Sequence, residues 1–320
     1  MENNCKRPQV LLIGNGINRS YNGDSWERLI KEMSGNLDFK SSLPMPQQII
    51  VATGNDVNER LKQYKSRLFG EVHDKKHREL LQSILTMGFD EILTTNYSYE
   101  LELASVDCAK ISEYAIGKMK DTTLKGKRAE AKYMLHTYNA IDYLSTHNRV
   151  WHIHGEARNH SSMVIGHYYY CNLVSKIKRY FDGIGNKYEI IQSHNKKINI
   201  NSWLDAFILG DVYVLGFGFD PSEIDLWWLL ERKVLEKANK GKVYYYCPPW
   251  EFMNSKNDDK HALLVCHDVV MIGRDIVCRQ NDYKDFYRKS IEDIKMRVEI
   301  PKDAEKSVDC RVTTGDTKLE

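Results

Sequence analysis

The sequence predicts an α/β domain: a parallel sheet of about six strands, helices on both faces and a smaller helical insertion module. Three observations carry this. Short apolar runs are continuous rather than alternating, as strands buried on both faces of a parallel sheet require. Segments with apolar residues at helical spacing separate these runs. Four of the runs end in a polar or glycine-rich loop.

Residues 10–13, Val-Leu-Leu-Ile, are the first strand and stop at Gly14. Residues 25–33 read as a short helix, with Trp26, Leu29, Ile30 and Met33 at helical spacing, and residues 77–87 as another, through Leu80, Leu81, Ile84 and Leu85. The second strand is 91–95. From 97 to 149 the composition turns charged, with a lysine-rich stretch at 118–132, and a helical insertion with a solvated face is expected. The third strand, 150–154, closes at Gly155. A second helical insertion, 156–205, holds a helix at 168–182 and the start of another at 203–209, with an exposed stretch rich in Gly, Asn and Lys (183–200) between them. Residues 212–215 form the fourth strand, and Pro221 and Ser222 open a helix to Asn239, since proline suits a first helical turn and Asp220 or Ser222 can cap it. Strands at 242–247 and 269–272 and an amphipathic helix at 283–298 complete a domain of residues 1–300. The polar, aromatic-free tail 301–320 is expected to be disordered.

Composition narrows the function classes. The 320 residues carry 46 Lys and Arg against 44 Asp and Glu, a net charge of +2, which lacks the basic bias of a dedicated nucleic-acid binder. The seven cysteines form no CxxC pair, and no secretory signal opens the chain, so reduced thiols in a cytoplasm are expected. No apolar run approaches the ~20 residues needed to cross a bilayer. Serine-hydrolase (GxSxG), zincin (HExxH) and P-loop motifs are all missing, and no metal site is expected.

The chemistry is expected at the strand ends, because the carboxyl ends of parallel strands share one edge where ligands bind. Gly14, Asn15, Gly16, Ile17 and Asn18 follow the first strand. They hold only two of the three glycines of a dinucleotide fingerprint, so a plain strand-to-helix turn and a phosphate-approaching loop remain equal alternatives. Gly216, Phe217, Gly218, Phe219 and Asp220 give the fourth strand a second such loop, and the two together favour a nucleotide ligand. Asn96, after Thr94 and Thr95, is either a helix cap for a helix from Tyr97 or a functional amide. His152 and His154 fall on the same face of an extended strand. His154, beside Gly155, suits a general base, because its pKa lies near physiological pH and the glycine leaves room for substrate.

In order and content these motifs resemble the sirtuin-like superfamily, specifically its divergent prokaryotic Sir-two-like branch. Leu12-Ile13-Gly14-Asn15-Gly16-Ile17-Asn18 looks like the family's Gly-Ala-Gly-Ile-Ser loop, and Ser25-Trp26-Glu27-Arg28-Leu29-Ile30 like the helix start of the divergent branch. Thr94-Thr95-Asn96-Tyr97 is similar to the motif with the catalytic asparagine, Ile153-His154-Gly155 to the catalytic His-Gly, and Gly216-Phe217-Gly218 to the later glycine loop. The resemblance spans residues 11–230.

What the resemblance implies is hydrolysis of NAD+ to nicotinamide and ADP-ribose, linear or cyclised. Asn96 would orient water or the ribose hydroxyls and His154 would accept a proton. The 14–18 loop would cradle the diphosphate and 216–220 the adenosine half, with Trp26, Thr94 and Thr95 among the NAD+ contacts. The family's zinc ribbon needs paired cysteines that this chain lacks, and with it goes the peptide cleft, so deacylation is the less favoured activity. Ser98 stands where the family often has Asp, and Asn18 where it has Ser. Members of this branch typically deplete NAD+ in bacterial antiphage defence. That setting implies control by homo-oligomerisation or by a separately encoded partner such as a HerA-like ATPase or an Argonaute. A catalytically silent subunit that binds NAD or ADP-ribose is the rival from another class.

Overall fold

The computed structural model describes residues 7–23, 25–34, 43–54, 57–64, 68–107, 120–123, 133–185, 188, 199–236, 240–274 and 276–299. Its eight strands are β1 (Gln9–Ile13), β2 (Glu91–Thr94), β3 (Lys120–Thr123), β4 (Thr137–Tyr143), β5 (Thr146–His152), β6 (Asp211–Leu215), β7 (Val243–Tyr246) and β8 (Val269–Ile272). They form one sheet in the order β3-β4-β5-β2-β1-β6-β7-β8. The six strands from β5 to β8 in that order are parallel, and they are the six runs expected from the sequence. Counted among themselves they run 3-2-1-4-5-6, the doubly wound, Rossmann-like order, with its reversal between β1 and β6.

The helices are α1 (Gly16–Ser20), α2 (Trp26–Met33), α3 (Met45–Thr53), α4 (Val57–Gln63), α5 (Lys75–Leu85), α6 (Glu100–Ser105), α7 (His167–Ile184), α8 (Trp203–Leu209), α9 (Ile224–Leu235), α10 (Pro249–Phe252), α11 (Asp258–Cys266) and α12 (Tyr283–Glu299). Their starts follow local chemistry: Ser25 caps α2 by accepting from the Arg28 amide, Asp74 caps α5, and Ser202 with Asp205 forms a capping box on α8. No helix among the described residues is long and apolar enough to cross a membrane.

Strand alternation divides the core in two. Val10, Leu12, Trp151 and Val214 pack against α7, α8 and α9, whereas Leu11, Ile13, Val150 and Leu215 pack against α5, α6 and α12. A third, smaller core joins α2, α3 and α4 to Tyr97, Tyr99 and Met163. This small helical unit forms one rim of the sheet's carboxyl edge.

Where a helical insertion is expected at 97–149, the described part of that range holds one short helix, α6, and the antiparallel strands β3 and β4, which extend the sheet beyond β5. The buried positions of β4 are Thr137, Asn139 and Ile141, so its alternation is written partly in polar residues. The helix expected from Pro221 to Asn239 starts instead at Ile224 and ends at Leu235, because Asp220 and Ser222 close a turn ahead of it. Most of 118–132, much of 183–200 and the tail 301–320 lie outside the described residues.

Candidate active site

A cleft of about 1000 Å³ opens at the carboxyl edge, over the point where the strand order reverses. Its walls come from the loops after β1, β2, β5 and β6, with α2 and α3 on one rim and Tyr283 and Tyr287 of α12 on another. The four strand-end motifs therefore meet in one space.

The floor is a seam between two glycine loops. The Gly14 amide donates to the Leu215 carbonyl at 3.0 Å and the Gly16 amide to the Gly216 carbonyl at 2.8 Å. A Cβ on Gly14 would sit 2.5 Å from the Gly216 oxygen and 2.7 Å from Phe217 Cα, so these backbones approach too closely for any side chain. Gly216 itself adopts φ +69°, a conformation glycine accepts without strain. Gly218 is different, being exposed, with open space around its Cα.

The expected contact residues separate into two groups. Asn15, Gly16, Thr95, Asn96, His154, Gly216, Phe217, Gly218 and Asp220 line the cleft. Gly14, Ile17, Asn18, Thr94 and Phe219 lie beneath its surface. Ile17 and Phe219 are core residues, and Asn18 is buried between Asn15 and His77, which it meets at 3.2 and 3.1 Å. The Thr94 hydroxyl donates to the Ile13 carbonyl and accepts from the Asn96 amide, both at 3.1 Å, and so fixes the bend that presents Asn96. Trp26 begins α2, and its side chain lies outside the described residues. Asp220 shapes its own loop: its carboxylate accepts from the Ser222 amide and hydroxyl, its carbonyl from the Trp227 indole.

Asn96 does not cap a helix, because the next helix begins four residues later at Glu100 with Tyr99 in the capping position. Its carbonyl accepts from His152 Nδ1 at 2.7 Å, while its carboxamide has no hydrogen-bond partner among the described residues; Asn96 lines both the cleft and a small neighbouring pocket with Asn18 and Glu102.

His152 and His154 do not share a face. The strand ends at His152, and a turn closed by the Gly155 amide on the His152 carbonyl, with Gly155 at φ +89°, sends His154 to the opposite side. His152 Nε2 donates to Glu102 at 2.9 Å on the α6 side. His154 Nε2 donates to Asp225 Oδ2 at 2.9 Å on the α9 side, and its Nδ1 stands 3.8 Å from Glu223 Oε2. Glu223 accepts from the Tyr170 hydroxyl at 2.8 Å. Glu223 and Asp225 flank the first residue of α9, where the helix dipole favours negative charge.

Burial by itself lowers the basicity of His154, but the Asp225 carboxylate, its hydrogen bond and Glu223 outweigh that and raise the pKa to about 9. Burial pushes Glu223 up, His154 counteracts, and Asp225 adds to the rise, leaving the Glu223 carboxyl at about 7. The cluster thus holds a proton on His154 at neutral pH with a second carboxyl poised to exchange one. Its three donor atoms lie within 4.8 Å of one another.

Glu223, Asp225 and Tyr170 went unnoticed in the sequence. The available signal was a pair of carboxylates in Ser-Glu-Ile-Asp-Leu-Trp-Trp, directly after a glycine loop and inside an apolar run, where an acid must find a partner. Compared with known proteins, the chain matches no family model and no curated protein.

Proposed function

We propose that this protein is an NAD+ glycohydrolase that cleaves the nicotinamide–ribose bond to give nicotinamide and ADP-ribose. The observation that carries the reading is that Asn96, His154 and Glu223 line one cleft at the reversal of a doubly wound sheet, with the buried Asp225 holding His154. Such clefts take dinucleotides. Cleavage passes through an oxocarbenium-like ribose, so the protein has to orient a water, accept its proton and keep negative charge near the developing cation. Asn96 does the first, the buried cluster the other two. The loops at Asn15–Gly16 and Gly216–Gly218 face the rest of the dinucleotide. The setting we propose, NAD+ depletion in antiphage defence under control of self-assembly or a separately encoded partner such as a HerA-like ATPase or an Argonaute, follows from the motif resemblance alone.

The test is nicotinamide release from NAD+ by the purified protein, alone and with candidate partners, compared with Asn96→Ala and His154→Gln. Both variants are expected to lose activity with unchanged circular dichroism. Near-normal release by both removes the site assignment. NAD+ binding without release under every activating condition would instead identify a silent binding subunit.

A further inference from the structure

His154 is poorly suited to take a proton. Its Nε2–H donates to Asp225, which is fully buried, and its only other nitrogen faces a second carboxylate. Flanked by two carboxylates, and against the effect of burial, the protonated form of His154 is favoured. An imidazolium donates at both nitrogens, so the acceptor is sought among its neighbours. Glu223 is the neighbour that can: it lines the cleft, is anchored by the Tyr170 hydroxyl at 2.8 Å and stands 3.8 Å from His154 Nδ1. That gap is too long for a direct hydrogen bond but accommodates one oxygen bonded to both groups at ~2.8 Å, at the apex of a triangle.

Resting on the glycohydrolase reading, we propose that Glu223 is the proton acceptor of the reaction and that His154 acts as a fixed hydrogen-bond donor, held by Asp225, to the attacking oxygen. The water's O–H bond breaks, and its proton passes to the Glu223 carboxylate. The oxygen's electron pair forms the bond to ribose C1′. The C1′–N bond breaks with its pair going to the nicotinamide nitrogen, which cancels the positive charge there. Glu223 then returns its proton to solvent. Asp225 is a positioning residue, since it acts only through His154.

The groups facing Glu223 are His154 after β5, Asp225 on α9, Tyr170 on α7, Asp220 after β6 and Tyr97 after β2. The Tyr170 hydrogen bond lowers the Glu223 pKa. These relations give the test its second readout. In the wild type kcat should fall on the acid side as Glu223 protonates, near pH 7. Glu223→Gln, which keeps the shape and the acceptor for Tyr170, is expected to lower kcat about 100-fold or more, to change KM for NAD+ far less, and to abolish that acid limb. Tyr170→Phe, which removes a hydrogen bond that lowers the Glu223 pKa, should move the limb to higher pH. Should Glu223→Gln keep near-wild-type kcat with the limb in place while His154→Gln is inactive, His154 is the acceptor and the proposal fails alone. A wild-type protein that binds NAD+ but never releases nicotinamide overturns both this proposal and the glycohydrolase reading.

Discussion

Asp225→Asn isolates the energetics of the buried cluster. The substitution keeps size and an acceptor oxygen but removes the charge 2.9 Å from His154 Nε2, in a position fully shielded from water. A hydrogen bond to a charged partner contributes about 1.5–3 kcal/mol, and each pH unit corresponds to about 1.4 kcal/mol, so His154 should titrate roughly one to two pH units lower than in the wild type. Burial, which opposes protonation, is left facing only Glu223. The same change appears in stability. Because the folded pKa of about 9 exceeds the ordinary 6.5, the wild-type contribution is fully present below pH 6.5 and is lost as pH rises through about 9. The unfolding free-energy difference between wild type and variant is therefore largest near pH 6, about 1.5–3 kcal/mol, and shrinks toward pH 9. Histidine-ring NMR, with the His154 signal assigned through His154→Gln, reads the titration, and urea unfolding across the same range reads the linkage. An unmoved His154 midpoint, or a difference that does not vary with pH, refutes the account of an imidazolium held by Asp225.

Two further outcomes follow from the fold around the cleft. Gly14→Ala must part the two glycine loops by nearly the whole difference between 2.5 Å and an ordinary contact, at a cost of about 2–4 kcal/mol, with loss of NAD+ binding by calorimetry; Gly218→Ala, in open space, should leave the unfolding midpoint within about 0.5 kcal/mol of wild type. Equal effects of the two would remove the packing role assigned to the seam. Lys233→Met removes the buried ammonium that donates to the carbonyls of Phe207, Ile208 and Gly210 at 2.6, 2.9 and 2.9 Å, leaving Ile208 only the Gly241 amide at 3.4 Å, and is expected to cost about 3 kcal/mol or more in urea unfolding. An unchanged midpoint would mean that those carbonyls find other partners.

The central parallel strands β1, β2 and β6 were legible because each is a fully buried, largely apolar run, and their loops were legible because glycine and Asn interrupt those runs abruptly. The β4–β5 hairpin was not, for two physical reasons. Its inward positions include Thr137 and Asn139, the latter bonded to Glu102 at 3.1 Å, so the buried face does not read as hydrophobic. Its two-residue turn is Leu144-Ser145, both at positive φ, where Asn-Gly would have announced it. At the site, Asn96 and His154 stood out by type and position. The facing of His152 and His154 was misjudged because strand alternation holds only while the strand lasts, and it stops at His152. Glu223 and Asp225 were hidden by sequence distance: Asp225 lies 71 residues from the histidine that it holds.

The glycine seam also bears on how a ligand is received. The two hydrogen bonds that join the loop after β1 to the loop after β6 continue the pairing of those strands, so the floor of the cleft forms as part of the sheet. A molecule settling on it meets backbone already fixed by folding. The ordering entropy of a free loop, about 1–2 kcal/mol for each residue, has been spent before association begins and does not subtract from affinity.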